Sequence, residues 1–346
     1  MKINLLDLDY AALERFVCEE GLPKFRAKQI NEWLLRGTAR FDEMTDLPSS
    51  LRESLSQKAD PGLPELLGCA RSKIDETRKY LFRLRDGCVI ESVLMKYKYG
   101  YSACISSQAG CRMGCSFCAS TGIAFSRNLT AGELLGQILA MNRHAGVRIG
   151  HIVMMGIGEP LDNYEQVTAF LKRVSSKESL SISYRKISLS TCGVIPGIYR
   201  LAEEGMPITL SVSLHNPFDE QRSEIMPINR KYSLDTLFEA CREYVNKTGR
   251  RITFEYAMIA GVNDTAAHAA ELGKRLKGML CHVNLIPVNA VEGRAFRRSE
   301  RENIERFVSL LEQRGISATV RRELGRDINA ACGQLRKQFI AGDTDA

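Results

Sequence analysis

Between Ser102 and Arg322 the chain alternates between two patterns. Short apolar runs (SACISSQ, HIVMMG, RKISLST, ITLSVSL, RITFEYAMI, HVNLIPV and ISATVRR) read as strands. Between them lie longer stretches with apolar residues at helical spacing: TAGELLGQILAMNRH, NYEQVTAFLKRV, GIYRLAEEG, LDTLFEACREYVNK, AAHAAELGKRLKG and SERENIERFVSLLEQR. A strand followed by a helix must cross over before it meets the next strand, so the expected fold is α/β. Its parallel sheet is open or closed as a barrel, with helices outside. Chemistry in such folds gathers at the C-terminal strand ends. The unusual residues lie there: a cysteine run after the first strand, GIGEP after the second, STCG after the third, SLHNP after the fourth and IPVN after the sixth.

The segment before this pattern is different. YAALERFVCEE, FRAKQINEWLLRG (ending at Gly37) and DLPSSLRESLSQ read as three helices of a small accessory unit, residues 1–72. Lys24, Arg26 and Lys28 cluster on the second, as an RNA contact or as a solvated face. Residues 73–98 alternate apolar and polar around Asp86-Gly87 and read as a β-hairpin extension, decorated by Arg78, Lys79, Arg83, Arg85, Lys96 and Lys98. The core then runs over 99–327, and a C-terminal segment over 328–346. Its end, after Phe339, is expected to fray.

At 346 residues, 44% hydrophobic and 26% charged, the chain can bury a sizeable core. No apolar run approaches the roughly 20 residues of a membrane span. Eleven cysteines in a chain of this length point to a reducing, cytoplasmic setting rather than a disulfide scaffold. The net charge of +7 suits a polyanionic partner but also many basic enzymes without one.

Cys111, Cys115 and Cys118 fall within eight residues, CRMGCSFC. Three thiolates can hold three irons of a 4Fe-4S cubane and leave the fourth without a protein ligand. Four-cysteine clusters mostly carry electrons, so an open iron suggests chemistry at the cluster. The bland alternatives are a zinc site or three unrelated thiols. Zinc sites favour paired CxxC units or Cys/His sets that close a tetrahedron, and no second pair stands nearby. Gly158 and Glu159 in GIGEP let backbone approach a ligand and offer a carboxylate to an ammonium. Ser190, Ser213, Leu214, His215 and Asn289 stand at successive strand ends, as pocket lining or as ordinary turn residues.

With this loop after the first strand, and with Phe117 before its third cysteine, the chain resembles the radical SAM superfamily. That resemblance implies a partial (β/α)6-type barrel, one 4Fe-4S cluster on Cys111, Cys115 and Cys118, and S-adenosylmethionine chelated to the open iron. CISSQAGCRMGCSFCAS, MGIGEPLDN, LSVSLHNP, IMPIN, NLIPVN and DINAACGQL, in this order, narrow it. From about Glu91 to Leu335 they closely resemble the RlmN/Cfr family of RNA adenine methyltransferases.

The family likeness implies residue roles. Cys332 would carry the methyl group, Cys104 would be the resolving thiol, and Glu91 the proton acceptor. Without the likeness, Cys332 reads as a buried thiol and Glu91 as a surface charge. In the implied mechanism Cys332 takes a methyl group from one S-adenosylmethionine, and a second is cleaved to a 5′-deoxyadenosyl radical. That radical removes a hydrogen from the S-methyl group, and the carbon radical adds to adenine. Loss of the ring proton and attack by Cys104 free the base and leave a Cys104–Cys332 disulfide. This requires the two Cα atoms to come within about 7 Å.

The implied substrates are 23S rRNA near the peptidyl-transferase centre and tRNA beside the anticodon, both modified at adenine C2. An external flavodoxin- or ferredoxin-like donor, a thiol reductant and a monomeric protein complete the expectation. The alternatives are C8 methylation of the same rRNA adenosine, which confers antibiotic resistance, a radical enzyme with a small-molecule or protein substrate, and a non-enzymatic metal-containing RNA-binding module. Pro160 and IPVN look like the C2 branch, and MKYKYG like the C8 branch. Candidate phosphate contacts are Lys24, Arg26, Lys28, Arg78, Lys79, Lys96, Lys98, Arg321, Arg322 and Arg326. Cys18, Cys69, Cys88, Cys192, Cys241 and Cys281 read as buried, inert thiols.

Overall fold

The computed structural model describes residues 2–288 and 296–328. The N-terminal unit opens with β1 (Ile3–Asn4), which pairs in parallel with β2 (Ala59–Asp60). Between them lie α1 (Tyr10–Glu19), α2 (Phe25–Leu35) and α3 (Ser49–Lys58). Asp9 caps α1 by accepting from the Ala12 N–H at 2.7 Å. Leu13, Phe16, Val17, Ile30 and Leu34 are buried in the same core as α4 (Ala131–Ala145), so the unit does not stand apart. Gly132 on α4 explains the close fit. A Cβ there would lie 2.2 Å from the Leu6 carbonyl oxygen, so only glycine admits this approach.

Ten strands form the main sheet. They are β3 (Glu65–Arg71), β4 (Arg78–Arg83), β5 (Val89–Tyr97), β6 (Gly100–Cys104), β9 (Ile149–Met154), β10 (Ile187–Thr191), β11 (Thr209–Ser213), β12 (Ile252–Met258), β13 (Cys281–Pro287) and β14 (Ala318–Val320). The omitted numbers are a two-stranded arm, β7 (Gln108–Ala109) with β8 (Arg127–Asn128). The order is β14-β13-β12-β11-β10-β9-β6-β5-β4-β3. From β6 to β14 every pairing is parallel, and from β3 to β6 every pairing is antiparallel. α5 (Tyr164–Ser175), α6 (Ile195–Glu203), α7 (Asp219–Ile225), α8 (Leu234–Thr248), α9 (Ala266–Leu276) and α10 (Arg301–Glu312) fill the crossovers. The result is the expected partial (β/α) barrel.

Two elements were not expected. The hairpin at Asp86-Gly87 forms as β4 and β5, but it is preceded by β3 and fused through β5 to β6. It extends the barrel sheet as an antiparallel flank. α7 is short and mostly polar, and its sequence gave no helical pattern.

The sheet's two faces differ in chemistry. Ile152, Met154, Leu189, Leu210, Val212, Phe254, Tyr256, Val283 and Leu285 alternate onto the helix-covered face and are buried. The other face carries His151, Ser188, Ser190, Ser211, Ser213, Thr253, Glu255 and Asn284. The barrel's inner wall is therefore lined with hydroxyls, amides and a carboxylate rather than packed shut with branched aliphatics.

β3 and β14 are the free edges of this sheet, and the chain after β14 reaches from one to the other. Asp327 accepts from the Ser72 hydroxyl and the Lys73 N–H, each at 2.7 Å. The Gly325 N–H donates to Asp75 at 2.9 Å. Residues 72–77 are the turn between β3 and β4, so this latch spans the barrel's open side. Among the described residues, no helix is long and apolar enough to cross a membrane. Asn289, Cys332 and the tail after Phe339 lie outside the described residues.

Candidate active site

The cysteine loop leaves the top of β6 and is held from two sides. Thr121 Oγ1 donates to the Cys115 carbonyl at 2.6 Å, and the Cys118 N–H donates to the same carbonyl at 3.1 Å. The Ser116 N–H donates to the Ile225 carbonyl at the end of α7, at 2.9 Å. All three thiols are partly buried. Burial pushes Cys111 upward, opposed by the Met113 N–H and reinforced by Cys118. Cys115 is pushed up to about 12 by burial and by the other two sulfurs. Cys111 and Cys115 are thus held toward the neutral thiol, and a cationic group bound at the loop would favour their thiolate forms.

Yet among the described residues no three Cys, His, Asp or Glu side chains close on a single ion. The three thiols of the CxxxCxxC loop suit a cubane, whose irons are each bound separately and whose fourth iron needs no protein ligand.

The GIGEP loop is zipped to the segment feeding the cysteines. The Gly156 N–H donates to the Ile105 carbonyl at 3.1 Å, and the Ser107 and Gln108 N–H groups donate to the Ile157 carbonyl at 2.8 and 3.1 Å. The Glu159 N–H donates to Gln108 Oε1 at 2.9 Å. A Cβ on Gly156 would lie 2.6 Å from the Ile105 carbonyl group, and Gly158 sits at φ +107. Gly156→Ala is therefore expected to destabilise the protein by about 2 to 3 kcal/mol, read as a lower thermal midpoint. An unchanged midpoint would contradict this packing.

Glu159 is buried, and burial pushes its carboxyl upward. Its oxygens accept from the Leu161 N–H at 2.9 Å and the Cys192 N–H at 2.7 Å. The carboxylate thus clamps the β9 loop to the end of β10.

His215 has a left-handed backbone, φ 57. Burial, with Arg222 nearby, pushes its imidazole down to about 3, so it is neutral. Nδ1 accepts from the Ala257 N–H at 2.9 Å, which leaves the proton on Nε2. The Phe117 ring meets it edge-on, with centroids 4.6 Å apart. This contact joins the cysteine loop to the end of β11, where Ser213 and Leu214 also lie. Ser190 is on the inner face of β10, one strand away.

Cys104 and Glu91 share the inner face. Cys104 pairs with Val93 across β5 and β6, and Glu91 stands two residues before Val93 on the same side. Burial pushes the Cys104 thiol up, while Arg321 and the Met155 N–H pull it down. Glu91 is buried, not a surface charge, and lies 3.2 Å from the fully buried Lys79.

This changes the basic map. Lys79 is no phosphate contact, and Arg321 turns inward, 3.7 Å from Met155 Sδ. Lys24 and Lys96 are exposed but paired with Glu14 and Glu76. Among the unassigned thiols Cys192 and Cys241 are buried as expected, Cys69, Cys88 and Cys281 are partly buried, and Cys18 is exposed. All ten described cysteines are free thiols. Sequence reasoning missed Lys79 as the partner of Glu91, Gln108 as the tie between two loops, and Arg222. For Lys79 the signal was present, because the Asp86-Gly87 turn sets the register that pairs 79 with 93 and so leaves 79 diagonal to 91 on one face.

Known proteins share this arrangement. Residues 105–272 match the Radical SAM superfamily model, and residues 3–60 match "Ribosomal RNA large subunit methyltransferase N-terminal domain". A Clostridium botulinum (strain Eklund 17B / Type B) protein named "Probable dual-specificity RNA methyltransferase RlmN" is 52% identical, over 97% of each chain. One of the same name from Desulforamulus reducens is 49% identical, over 98% of this chain and 97% of its own. The crystal structure of a radical SAM methyltransferase from Sphaerobacter thermophilus superposes with a TM-score of 0.92 at 45% identity, covering 96% of this chain and 98% of that one.

Proposed function

Because the chain belongs to the RlmN family of radical SAM RNA methyltransferases, we propose that it methylates C2 of an adenine in 23S rRNA and of the adenosine 3′ to the anticodon in tRNA. The observation that carries this reading is the pairing of a thiol, Cys104, and a carboxylate, Glu91, on one inner wall beside the three-cysteine loop. The high identity to RlmN relatives favours C2 over C8.

Cys111, Cys115 and Cys118 hold the 4Fe-4S cluster, and Gly158, Glu159, Ser190, Ser213, Leu214, His215 and Asn289 form the pocket for S-adenosylmethionine. When bound, the two together supply a 5′-deoxyadenosyl radical. The Glu159 clamp and the Phe117–His215 contact fix the distance between cluster loop and pocket. His215, kept neutral, offers an Nε2–H donor without adding a charge. The Cys332 thiolate would take its methyl group from S-adenosylmethionine, with S-adenosylhomocysteine as the leaving group, and carry it. Once that carbon is joined to adenine and the adduct's odd electron has passed back to the one-electron couple that supplied it, Glu91 would take the ring proton, with the Lys79 ammonium 3.2 Å away. The Cys104 thiolate would then attack Cys332 sulfur, forming the disulfide as the carbon–sulfur bond breaks toward carbon, and the freed methylene carbon would take up a proton to become the methyl group. A thiol reductant restores it, and an external one-electron donor serves the cluster. We place the protein in the cytoplasm as a monomer. Its helical N-terminal unit (1–72) and hairpin flank (73–98) receive RNA beside the core (99–327), and 328–346 bears the carrier.

Incubation of the reconstituted protein with labelled S-adenosylmethionine and rRNA or tRNA fragments should give 2-methyladenosine on nucleoside mass spectrometry. 8-Methyladenosine as sole product would overturn the C2 assignment.

A pH dependence follows from Cys104. Its thiol lies above the ordinary value of 9.0 because it is buried, so the thiolate is scarce at neutral pH. Release of methylated RNA in a single turnover should quicken as pH rises from about 7 to 9, without a plateau. Arg321→Gln removes the cation that draws this thiol down. It should slow release up to about tenfold, the effect of one pKa unit. A pH-independent release rate would exclude Cys104 thiolate attack as the limiting step.

A further inference from the structure

Among the described residues, Arg222 on α7 is the largest side chain that is almost wholly buried, at 1% exposure. Every acceptor its guanidinium meets is neutral. Nε donates to the Leu214 carbonyl at 3.0 Å, Nη1 to Asn229 Oδ1 at 2.6 Å, and Nη2 to the Cys192 and Ser213 carbonyls at 2.9 and 3.0 Å. The Asp219 carboxylate on the same helix is occupied elsewhere, accepting from the Leu234 N–H at 2.7 Å. Among the described residues no carboxylate forms an ion pair with Arg222. Burial draws the group down to about 10, which leaves it cationic at neutral pH. A buried cation with only dipoles around it is costly unless an anion lies close by.

The cysteine loop, negative once its thiols hold metal, packs against the same helix end. Ile225 and Met226, at the end of α7, pack with Cys192 against Met113, Cys115 and Phe117. The Ser116 N–H is bonded to the Ile225 carbonyl. Cys192, whose carbonyl receives the guanidinium, thus lies in one apolar cluster with Cys115.

We propose that Arg222 is the buried counter-ion of the iron–sulfur cluster, a positioning residue that holds its reduction potential high enough to accept an electron. The proposal rests on the cluster reading above. Three thiolates on a cubane leave a net negative group, and one-electron reduction by the external donor adds one more negative charge. A fixed cation bonded to the Cys192 carbonyl, in the packed cluster that includes Cys115, stabilises the reduced form more than the oxidised form, because net charge and local field set cluster potentials.

The test compares reconstituted wild type with Arg222→Gln and Asn229→Asp by iron and sulfide content, then by an anaerobic spectroelectrochemical titration. Arg222→Gln removes the charge. Asn229→Asp keeps Arg222 and neutralises it in place with a carboxylate of nearly the same shape. Both should load the cluster, and in both the equilibrium constant for its reduction should fall at least about tenfold, a midpoint lower by about 59 mV for one electron. Arg222→Lys, which keeps the charge but loses the fork, should stay within about threefold of wild type. Should Arg222→Gln fail to fold, Asn229→Asp decides alone. A loaded Asn229→Asp or Arg222→Gln protein with the wild-type midpoint overturns the proposal. A wild type that binds no iron would instead overturn the cluster reading itself.

Discussion

Cys115→Ala protein is expected to purify without its iron–sulfur cluster and to form no 5′-deoxyadenosine from S-adenosylmethionine and reductant. Cys115 is the middle thiol of the trio and the most deeply perturbed, pushed up to about 12 by burial and its two neighbours. Two thiolates cannot hold a cubane in which two irons would then lack protein ligands. The fold should survive. The side chain is small, and its loop is anchored by backbone bonds from Ser116 and Cys118 rather than by the sulfur. Its packing against Ile225 and Met226 is worth about 1 kcal/mol. Iron analysis and a thermal melt separate the two effects. A variant that retains full iron and its visible absorbance would remove Cys115 from the ligand set.

Cys332→Ala should give the opposite phenotype: wild-type iron content and absorbance, with methyl transfer to RNA reduced to background. Alanine cannot accept a methyl group from S-adenosylmethionine, and no other described thiol has the ACGQL context. Cys104→Ala should differ again. The methyl carbon would still join adenine, but no thiol would resolve the adduct, so protein and RNA would remain covalently linked through residue 332. A denaturing gel reads that link directly. Robust RNA methylation by Cys332→Ala would exclude the carrier role and leave a radical enzyme of another kind.

Much of the barrel was legible because its strands are short apolar runs closed by Gly, Pro or Asn, and its helices carry apolar faces at the right spacing. β3 was not legible. Glu65–Arg71 has no clean alternation, and its register shifts between Leu66 and Gly68. α7 was hidden for another reason. In DEQRSEI only Arg222 and Ile225 are buried, and an arginine in a polar heptapeptide reads as solvated. The ligand trio and the loops at strand ends were visible as spacing. The charges were not, because their state depends on neighbours far along the chain. Lys79 and Arg321 looked like surface cations until the sheet turned them inward. His215 gave no sign of its neutrality, which comes from burial and from the nearby Arg222.

The latch across the barrel's open side has a consequence for cohesion. Asp327 and Gly325 moor the chain that follows β14 to the β3–β4 turn. The two outermost strands therefore cannot splay apart without breaking three hydrogen bonds together, and a curled sheet left open at its seam is clasped there like a bracelet.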